Sequence, residues 1–282
     1  MLTNLFDGIA YGMLLFVLAS GLCVTLGLMN FINLAHGAFA MAGGYVTVGL
    51  VNRWGMPFLA ALPLAFVASA ALGAAFERLL YVHVYAKSPL DQVLFSIGLV
   101  FMAVAAVSYF QGAQQQFVNL PPWLKTRFEL LGVSIGSYRL FIILVCGMIV
   151  GVLQWILART RFGSRLRAGV DDRRTARGLG IDVGAIFTLT FAVGSGLAGL
   201  GGALGAEILG LDPSFPLKFM VYFLIVVTLG GSAGLVGPLL AAILLGVADV
   251  AGKYYLPAYG AFVIYTVMLV ALVWRPQGLF AR

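Results

Sequence analysis

Charged side chains are scarce in this chain of 282 residues. Only 10% of the residues are Asp, Glu, Lys or Arg, whereas 62% are hydrophobic, and the mean hydropathy is +1.03. Apolar runs of about 20 residues recur, and each is long enough to cross a hydrocarbon core of roughly 30 Å. The alternating pattern of about ten residues that is typical of outer-membrane strands is absent. This composition excludes a soluble domain and predicts a polytopic α-helical membrane protein.

The sequence also lacks the motifs of common enzymes and metal sites. Its two cysteines, Cys23 and Cys146, fall inside apolar segments, so neither a disulfide framework nor a metal site is expected. The glycine-rich runs lack the lysine and hydroxyl residue that would cradle a nucleotide phosphate, and no hydrolase triad is present. We therefore predict a chain that is not an enzyme and binds no cofactor itself. The net charge of +7 lies mostly in loops between spans, where topology explains it better than nucleic-acid binding does.

A cleavable signal peptide is not expected, because the first basic residue is Arg53, and residues 5–28 are interpreted as a retained span. We predict one all-α polytopic membrane domain over residues 1–282, a bundle of about 8–9 transmembrane helices with a short cytoplasmic helix and broken or re-entrant segments. The number of crossings depends on residues 29–45, where a helix break, a re-entrant turn or a tight hairpin would all fit. The longest loop, residues 111–138, has room for a short hairpin or an interfacial helix.

One loop holds seven of the seventeen basic residues. We call this stretch, residues 159–181 (RTRFGSRLRAGVDDRRTARGLGI), the arginine island. Short loops rich in arginine stay in the cytoplasm. With the island inside, eleven basic residues lie inside and six outside, which predicts a cytoplasmic carboxyl terminus and leaves the side of the amino terminus open. Phe162, Leu166 and Val170 are spaced by four, which predicts a helix with one apolar face that docks into a groove. The charges alone fit a topology signal equally well, whereas the small residues inside the helix favour docking.

Four blocks of the sequence resemble one family. The run FGSRLRAGVDDRRTARGLGI resembles the cytoplasmic coupling loop of bacterial ABC permeases for branched-chain amino acids. The runs MNFINLAHGAFAMAGGY, VVTLGGSAGLVGP and WRPQGLF are similar to further blocks of that family, and all four occur in the family's order over nearly the whole chain. The resemblance implies a multi-pass permease subunit of the bacterial inner membrane, in an importer that moves branched-chain or related amino acids.

The resemblance also implies partners and a coupling site. The chain would pair with a second, homologous permease in membrane lipid, sit on two cytoplasmic ABC ATPases that bind ATP and Mg²⁺, and receive substrate from a periplasmic binding protein. The arginine island would be the element seated on one ATPase. Its coupling residues, carried over position by position, would be Gly163, Leu166, Arg167, Ala168, Asp172, Arg173, Ala176, Gly180 and Ile181.

Polar residues and helix breaks within the apolar segments are candidates for the translocation path. Glu207 would lie near the external mouth, where it would meet an ammonium group or, as the main expectation, pair with Lys218. Asp249 is expected to pair with Lys253, four residues on. The first break lies within residues 29–45 and the second within residues 230–237. Each would either line the path or act structurally. The structural role would be a capped helical hairpin with His36 satisfied locally for the first break, and close helix packing for the second. The candidates are Asn30, Asn33, His36, Gly37, Glu207, Gly230, Gly231, Ser232, Gly234 and Gly237.

Other functions remain open at this stage. Permeases of the same family move urea, short amides or other small organic solutes. A secondary transporter would need an internal ion site, although acidic residues are scarce in the spans, and a passive channel would need a narrow filter, for which GGSAG is a poor candidate. Both of these alternatives leave the arginine island without a role beyond topology.

Overall fold

The computed structural model describes residues 2–29, 31, 33–130, 133–231, 234–275 and 278. Helices make up most of the described chain, and one two-stranded hairpin lies between the fourth and fifth helices. The helices are α1 (Leu2–Met29), α2 (His36–Val48, continued by a π-helical turn at Gly49–Arg53), α3 (Phe58–Leu79), α4 (Pro89–Gln111), α5 (Ser137–Arg159), α6 (Arg161–Asp171), α7 (Arg173–Gly178), α8 (Val183–Gly205), α9 (Phe215–Gly230), α10 (Val236–Tyr255) and α11 (Gly260–Trp274).

The lengths and composition of the helices confirm an all-α polytopic membrane protein. Six helices, α1, α3, α4, α5, α8 and α10, are long and apolar enough to cross a membrane, and α9 and α11 are shorter apolar helices. At 1.5 Å per residue, a helix of about 20 residues spans the hydrocarbon core. In α1, 78% of the 18-residue apolar stretch is buried inside the subunit, whereas in α4 and α5 the buried share is 17%. The first helix is therefore central, and α4 and α5 present most of their apolar surface outward.

Contacts between helix ends define two ends of the bundle. Asp7 near the start of α1 forms an ion pair with Arg139 near the start of α5, so both helices begin at the same end. Helix α5 runs directly into α6 and α7, which lie at the other end. We call the end that carries α6 and α7 the arginine face, and the end that carries Asp7 and Arg139 the opposite face.

The helices on the amino-terminal side alternate between these two faces. Asn33, just before α2, accepts a hydrogen bond of 2.9 Å from the Tyr81 hydroxyl, just after α3. At the other end of α2, the Asn52 amide donates to the Phe117 carbonyl, just beyond α4, at 2.8 Å. Helices α1 and α2 therefore run antiparallel, as in a tight hairpin, which was one of the three predicted possibilities.

The remaining helices continue the alternation. The Tyr138 hydroxyl at the start of α5 donates to the Leu204 carbonyl at the end of α8, which places that end on the opposite face. Lys253 near the end of α10 lies 5.7 Å from the ring centre of Tyr11 in α1, on the same face. In the described part of the chain, α2 and the eight apolar helices named above, nine in all, thus run in alternating directions, so α1 begins on the opposite face and α11 ends on the arginine face.

Helix α8 lies at the centre of the bundle and packs on α1, α2 and α3. Small residues let helix backbones approach closely in membranes, where no hydrophobic driving force acts between helices. A Cβ atom added to Gly43 would lie 2.3 Å from the Gly199 Cα, and one added to Gly202 would lie 1.9 Å from the Ala40 carbonyl oxygen. The glycine content of α2 and α8 is therefore a packing requirement.

The longest loop contains the short hairpin that was one of its two predicted forms. Strand β1 (Arg127–Leu130) pairs antiparallel with β2 (Val133–Gly136), and the hairpin leads directly into α5. Gln116 and Leu211 exchange two backbone hydrogen bonds of 2.8 Å, which tie this loop to the turn after α8. The loop therefore covers part of the opposite face.

Candidate coupling and translocation sites

The arginine island forms two helices instead of the single short helix that the sequence predicts. Helix α6 begins at Thr160, whose hydroxyl accepts the Gly163 N–H at 3.3 Å, and it ends where Asp172 adopts an extended backbone. The Asp172 carboxylate then caps α7 by accepting the N–H groups of Arg174 and Thr175 at 2.9 and 3.1 Å. Asp172 has a side chain that favours an N-cap over the helix interior, so it starts a new helix.

Hydrogen bonds to Asp172 also fix its charge. The hydroxyl of Thr175, followed by the backbone N–H groups of Thr175 and Arg174, holds the pKa of the Asp172 carboxyl below its usual value. An ionised carboxylate at the N-terminus of α7 also suits the helix dipole. The angle between α6 and α7 is therefore set by a side chain that stays charged at neutral pH.

The apolar side of α6 faces this subunit and not an external groove, which corrects the expected docking of Gly163 and Leu166. The Leu166 side chain is fully buried, and α6 packs on α1, α5 and α8. A Cβ atom added to Gly163 would lie 2.2 Å from the Leu157 carbonyl oxygen, so glycine permits the sharp turn from α5 into α6. Ala176 of α7 is likewise buried, and Ala168 and Ile181 are partly buried. The small residues thus serve packing within the chain.

Two of the predicted coupling arginines are anchored to their own subunit. The Arg167 guanidinium donates to the Leu157 carbonyl at the end of α5. The Arg173 guanidinium lies 4.6 Å from the centre of the Phe187 ring in α8, at cation–π distance. Both side chains are otherwise exposed. These contacts link α6 to α5 and α7 to α8.

The outer surface of the α6–α7 unit is basic, with one apolar projection that sequence reasoning missed. Leu179, directly after α7, is 75% exposed, and Gly180 follows it with a φ of +79°, a conformation that favours glycine. A groove of about 340 Å³ lies beside this turn. The run Gly178-Leu179-Gly180 was the available signal, because a leucine between two glycines is not part of an apolar helix face that could bury it. The exposed arginines around it are Arg161, Arg165, Arg174 and Arg177.

The polar residues of the first break are buried and hydrogen-bonded, and they support the structural interpretation. The Asn33 side-chain oxygen accepts from the Ala35 N–H at 3.1 Å, as well as from Tyr81. His36 is 2% exposed, and its Nε2 lies 2.9 Å from the Leu18 carbonyl of α1, so its partner comes from the neighbouring helix and is not local. Gly37 packs against Pro216 of α9. Asn30 lies outside the described residues.

The second break lies at the arginine face, between α9 and α10. Gly231 ends α9 with a φ of +79°. A Cβ atom added to Gly230 would lie 2.3 Å from the Pro238 Cα, which favours close packing for this residue. Gly234 is exposed with open space beside it, and Gly237 is partly buried. Ser232 lies outside the described residues.

Glu207 lies on the opposite face, and its expected pairing with Lys218 is wrong. Lys218 donates to Asp212 at 2.5 Å, because Asp212 is held toward it by the turn in which it accepts the Ser214 N–H. Glu207 instead lines a cavity of about 600 Å³ on the opposite face. Burial raises the pKa of the Glu207 carboxyl above its usual value, against the opposing influence of Lys125.

Comparison with known proteins identifies the family. A family model described as "Branched-chain amino acid transport system / permease component" matches residues 4–272. The chain belongs to this permease family.

Several proteins named for branched-chain amino acid transport are similar to the permease. It is 27% identical over 296 residues to the high-affinity branched-chain amino acid transport system permease protein BraD of Pseudomonas aeruginosa, with all of this chain and 96% of BraD covered. It is 26% identical over 297 residues to LivH of Escherichia coli (strain K12), with the same coverage. It is 27% identical over 290 residues to LivM of Salmonella typhimurium, with 95% of this chain and 68% of LivM covered.

One solved structure shares the fold of the permease. PsaBC from Streptococcus pneumoniae, in complex with a Fab, aligns with a TM-score of 0.53 at 14% identity, and the alignment covers 96% of this chain and 90% of that one. At this identity the likeness concerns the arrangement of helices alone.

The permease contains a second charged cluster on its opposite face, which sequence reasoning found only in part. The predicted pair of Asp249 and Lys253 is confirmed, with 2.6 Å between Oδ2 and Nζ. The ion pair of Asp7 with Arg139 was missed, since the two residues are 132 positions apart.

Proposed function

We propose that this chain is the membrane-spanning permease of an ABC importer for branched-chain amino acids, and that its α6–α7 unit transmits movement from a partner ATPase. The proposal is supported most directly by one feature: a basic, exposed two-helix unit that is anchored on both sides to long apolar helices. The family relationship supplies the substrate class, since the relatives named above are branched-chain amino acid permeases.

The anchoring explains how the α6–α7 unit would act as a lever. Leu166 is fully buried, and Arg167 and Arg173 contact α5 and α8, respectively. A displacement of α6 and α7 would therefore be passed to α5 and α8 instead of being absorbed by a flexible loop. The exposed arginines would pair with acidic groups on the rim of an ATPase, and Leu179 would fill an apolar socket there.

Charge also supports an orientation in the bacterial inner membrane. Eleven basic residues lie on the side of the island against six on the other, which places the arginine face in the cytoplasm by the positive-inside rule. Because the nine helices other than α6 and α7 alternate, the amino terminus would be periplasmic and the carboxyl terminus cytoplasmic. The opposite face would then receive substrate from a periplasmic binding protein. The matches to both LivH and LivM support pairing with a second, homologous permease.

Reversal of charge on α7 tests this proposal. We expect Arg174→Glu combined with Arg177→Glu to abolish co-purification of ATPase subunits with the carboxyl-terminally tagged permease, and to abolish ATP-dependent leucine uptake. Arg127→Glu, a single charge reversal of the same kind at an exposed position of the hairpin on the opposite face, is the control and should retain the ATPases. Two ATPase subunits recovered at wild-type levels with the double variant would refute the assigned docking site, and a permease that never co-purifies with an ATPase would refute the importer itself.

A further inference from the structure

A cavity of about 600 Å³ opens on the opposite face between α1, α9, α10 and α11. Its volume lies within the range of small-molecule sites. The lining combines two acids, Asp7 and Asp249, with three basic residues, Arg139, Lys218 and Lys253. Acidic and basic groups in one cavity suit a ligand that carries both charges better than they suit a simple cation or anion.

Asp249 is the critical group of this cavity. Its side chain is 2% exposed, and its Oδ2 accepts from Lys253 at 2.6 Å. Its Oδ1 is buried and has no hydrogen-bond partner among the residues that the structure describes. A buried carboxylate oxygen ordinarily has a partner, so the unpaired oxygen of a residue that lines a cavity has the capacity to accept a donor from a ligand.

Asp7, which also lines this cavity, repeats the arrangement. Its Oδ2 pairs with Arg139, and its Oδ1 is also buried without a partner in the described part of the chain. Two carboxylates that line one cavity, from α1 and α10, therefore each have an oxygen without a partner among the described residues. An ammonium group, with three N–H donors, matches such a pair of acceptors.

The rest of the lining accounts for the other parts of an amino acid. Lys218 and Lys253 are more than half exposed at the cavity, at 57% and 55%, so their ammonium groups can reach a carboxylate. Between the charged groups lie apolar side chains that can contact an aliphatic chain, namely Ala10, Ile208, Leu209, Phe219 and Val250.

We propose that this cavity is an amino-acid site at the external mouth of the permease. In it, Asp249 and Asp7 bind the α-ammonium group, and Lys218 and Lys253 bind the α-carboxylate. The site deepens the proposed function and rests on it for the choice of an aliphatic amino acid. It assigns substrate contact to the opposite face in this conformation and not to the polar residues of the first helix break, which are occupied by internal hydrogen bonds.

Binding to the full-length permease without ATP and without a binding protein tests the site separately from transport. We expect L-leucine to bind to the purified chain in lipid nanodiscs, measured by saturation-transfer NMR or scintillation proximity. Asp249→Asn should weaken this binding at least about tenfold, since it removes a charged acceptor. Glu129→Gln, the same chemical change at an exposed hairpin residue that does not line the cavity, should leave binding unchanged.

Two additions keep the test decisive. Val250→Phe fills the cavity without altering charge and should also abolish binding. Because this variant keeps Asp249, the test does not depend on whether the Asp249 variant folds. 3-Methylbutylamine, which lacks the carboxylate, and 4-methylpentanoate, which lacks the ammonium group, should compete poorly with leucine.

Four outcomes would overturn the site: no leucine binding to the wild-type chain, binding unaffected by Val250→Phe, binding unaffected by Asp249→Asn, or competition by the amine alone that equals that of leucine. ATP-driven leucine uptake by a complex whose permease binds no leucine would refute the site and leave the proposed function intact.

Discussion

Gly163 shows how a single residue fixes the position of the whole arginine face. The turn from α5 into α6 brings the Leu157 carbonyl so close that no side chain fits at residue 163. Gly178, in the neighbouring α7, is exposed and has open space where its Cβ would be. The two glycines therefore differ in what a methyl group would meet, although the sequence alone gives no reason to separate them.

We expect Gly163→Ala to destabilise the permease by about 1–3 kcal/mol, the usual range for overpacking. Gly178→Ala is the matched control and should be neutral or slightly stabilising, because alanine has the higher helix propensity. The midpoint of thermal unfolding, followed by size-exclusion chromatography of detergent-solubilised protein, measures both variants. An equal midpoint for Gly163→Ala and the wild-type protein would contradict the packing described at the α5–α6 turn.

At the scale of single side chains, the sequence predicted local pairs well and distant pairs poorly. Asp249 and Lys253 are four residues apart on one helix, so their contact follows from helical geometry. The expected pair of Glu207 with Lys218 failed because the turn before α9 presents Asp212 to that lysine first. The pair of Asp7 with Arg139 depends on how α1 and α5 pack, which no local pattern encodes.

The α6–α7 unit is the element in which local sequence signals and tertiary packing combine. The spacing of Phe162, Leu166 and Val170 correctly predicts a helix with an apolar face. That face is used to attach the helix to its own subunit, with Leu166 completely buried, and this could not be read from periodicity. The outward surface is instead formed by arginines and by Leu179.

The cap at Asp172 gives the unit a pH dependence that can be measured. Its pKa is lowered in the folded protein, so the cap stabilises α7 at neutral pH, and this stabilisation is lost as the pH falls from the ordinary value of 3.8 through the lowered folded value. At pH 7 we expect Asp172→Ala to speed hydrogen exchange at the amides of Arg174 and Thr175, because these two N–H groups donate hydrogen bonds to the Asp172 carboxylate.

Asp172→Asn is the control for this experiment, because asparagine is also a favoured N-cap. It should retain slow exchange at both amides and should remove the dependence on acidic pH. Slow exchange in the alanine variant would show that α7 is held by its packing on α8 and not by the cap.

At the scale of the whole molecule, nine alternating helices place the start of α1 and the end of α11 on different faces. The family resemblance and the apolar runs gave the class of fold, but the number of crossings depended on residues 29–45. Hydrogen bonds at both ends of α2 decide it, since they tie this helix to the arginine face through Tyr81 and to the opposite face through Phe117. Such contacts join residues 48 and 65 positions apart, beyond the reach of any sequence window.

Cysteine labelling in whole cells checks this arrangement. Gln114 lies in an exposed loop of the opposite face, and Leu179 lies at the tip of the arginine face. We expect a membrane-impermeant maleimide to label Gln114→Cys in intact cells and Leu179→Cys only after the inner membrane is permeabilised. The two native cysteines are buried and give a low background. The reverse labelling pattern would invert the proposed orientation.

The most direct test of the proposed function is a photo-crosslink from Leu179 in living cells. A photoreactive amino acid at position 179 should form a covalent adduct with an ABC ATPase subunit, identified by mass spectrometry, because this residue projects from the basic surface proposed to contact that partner. The same amino acid at position 114, on the opposite face, should give no such adduct. Crosslinks to an ATPase from position 179 alone would support α6–α7 as the coupling unit. An ATPase that co-purifies with the permease yet crosslinks elsewhere, or only from position 114, would contradict it.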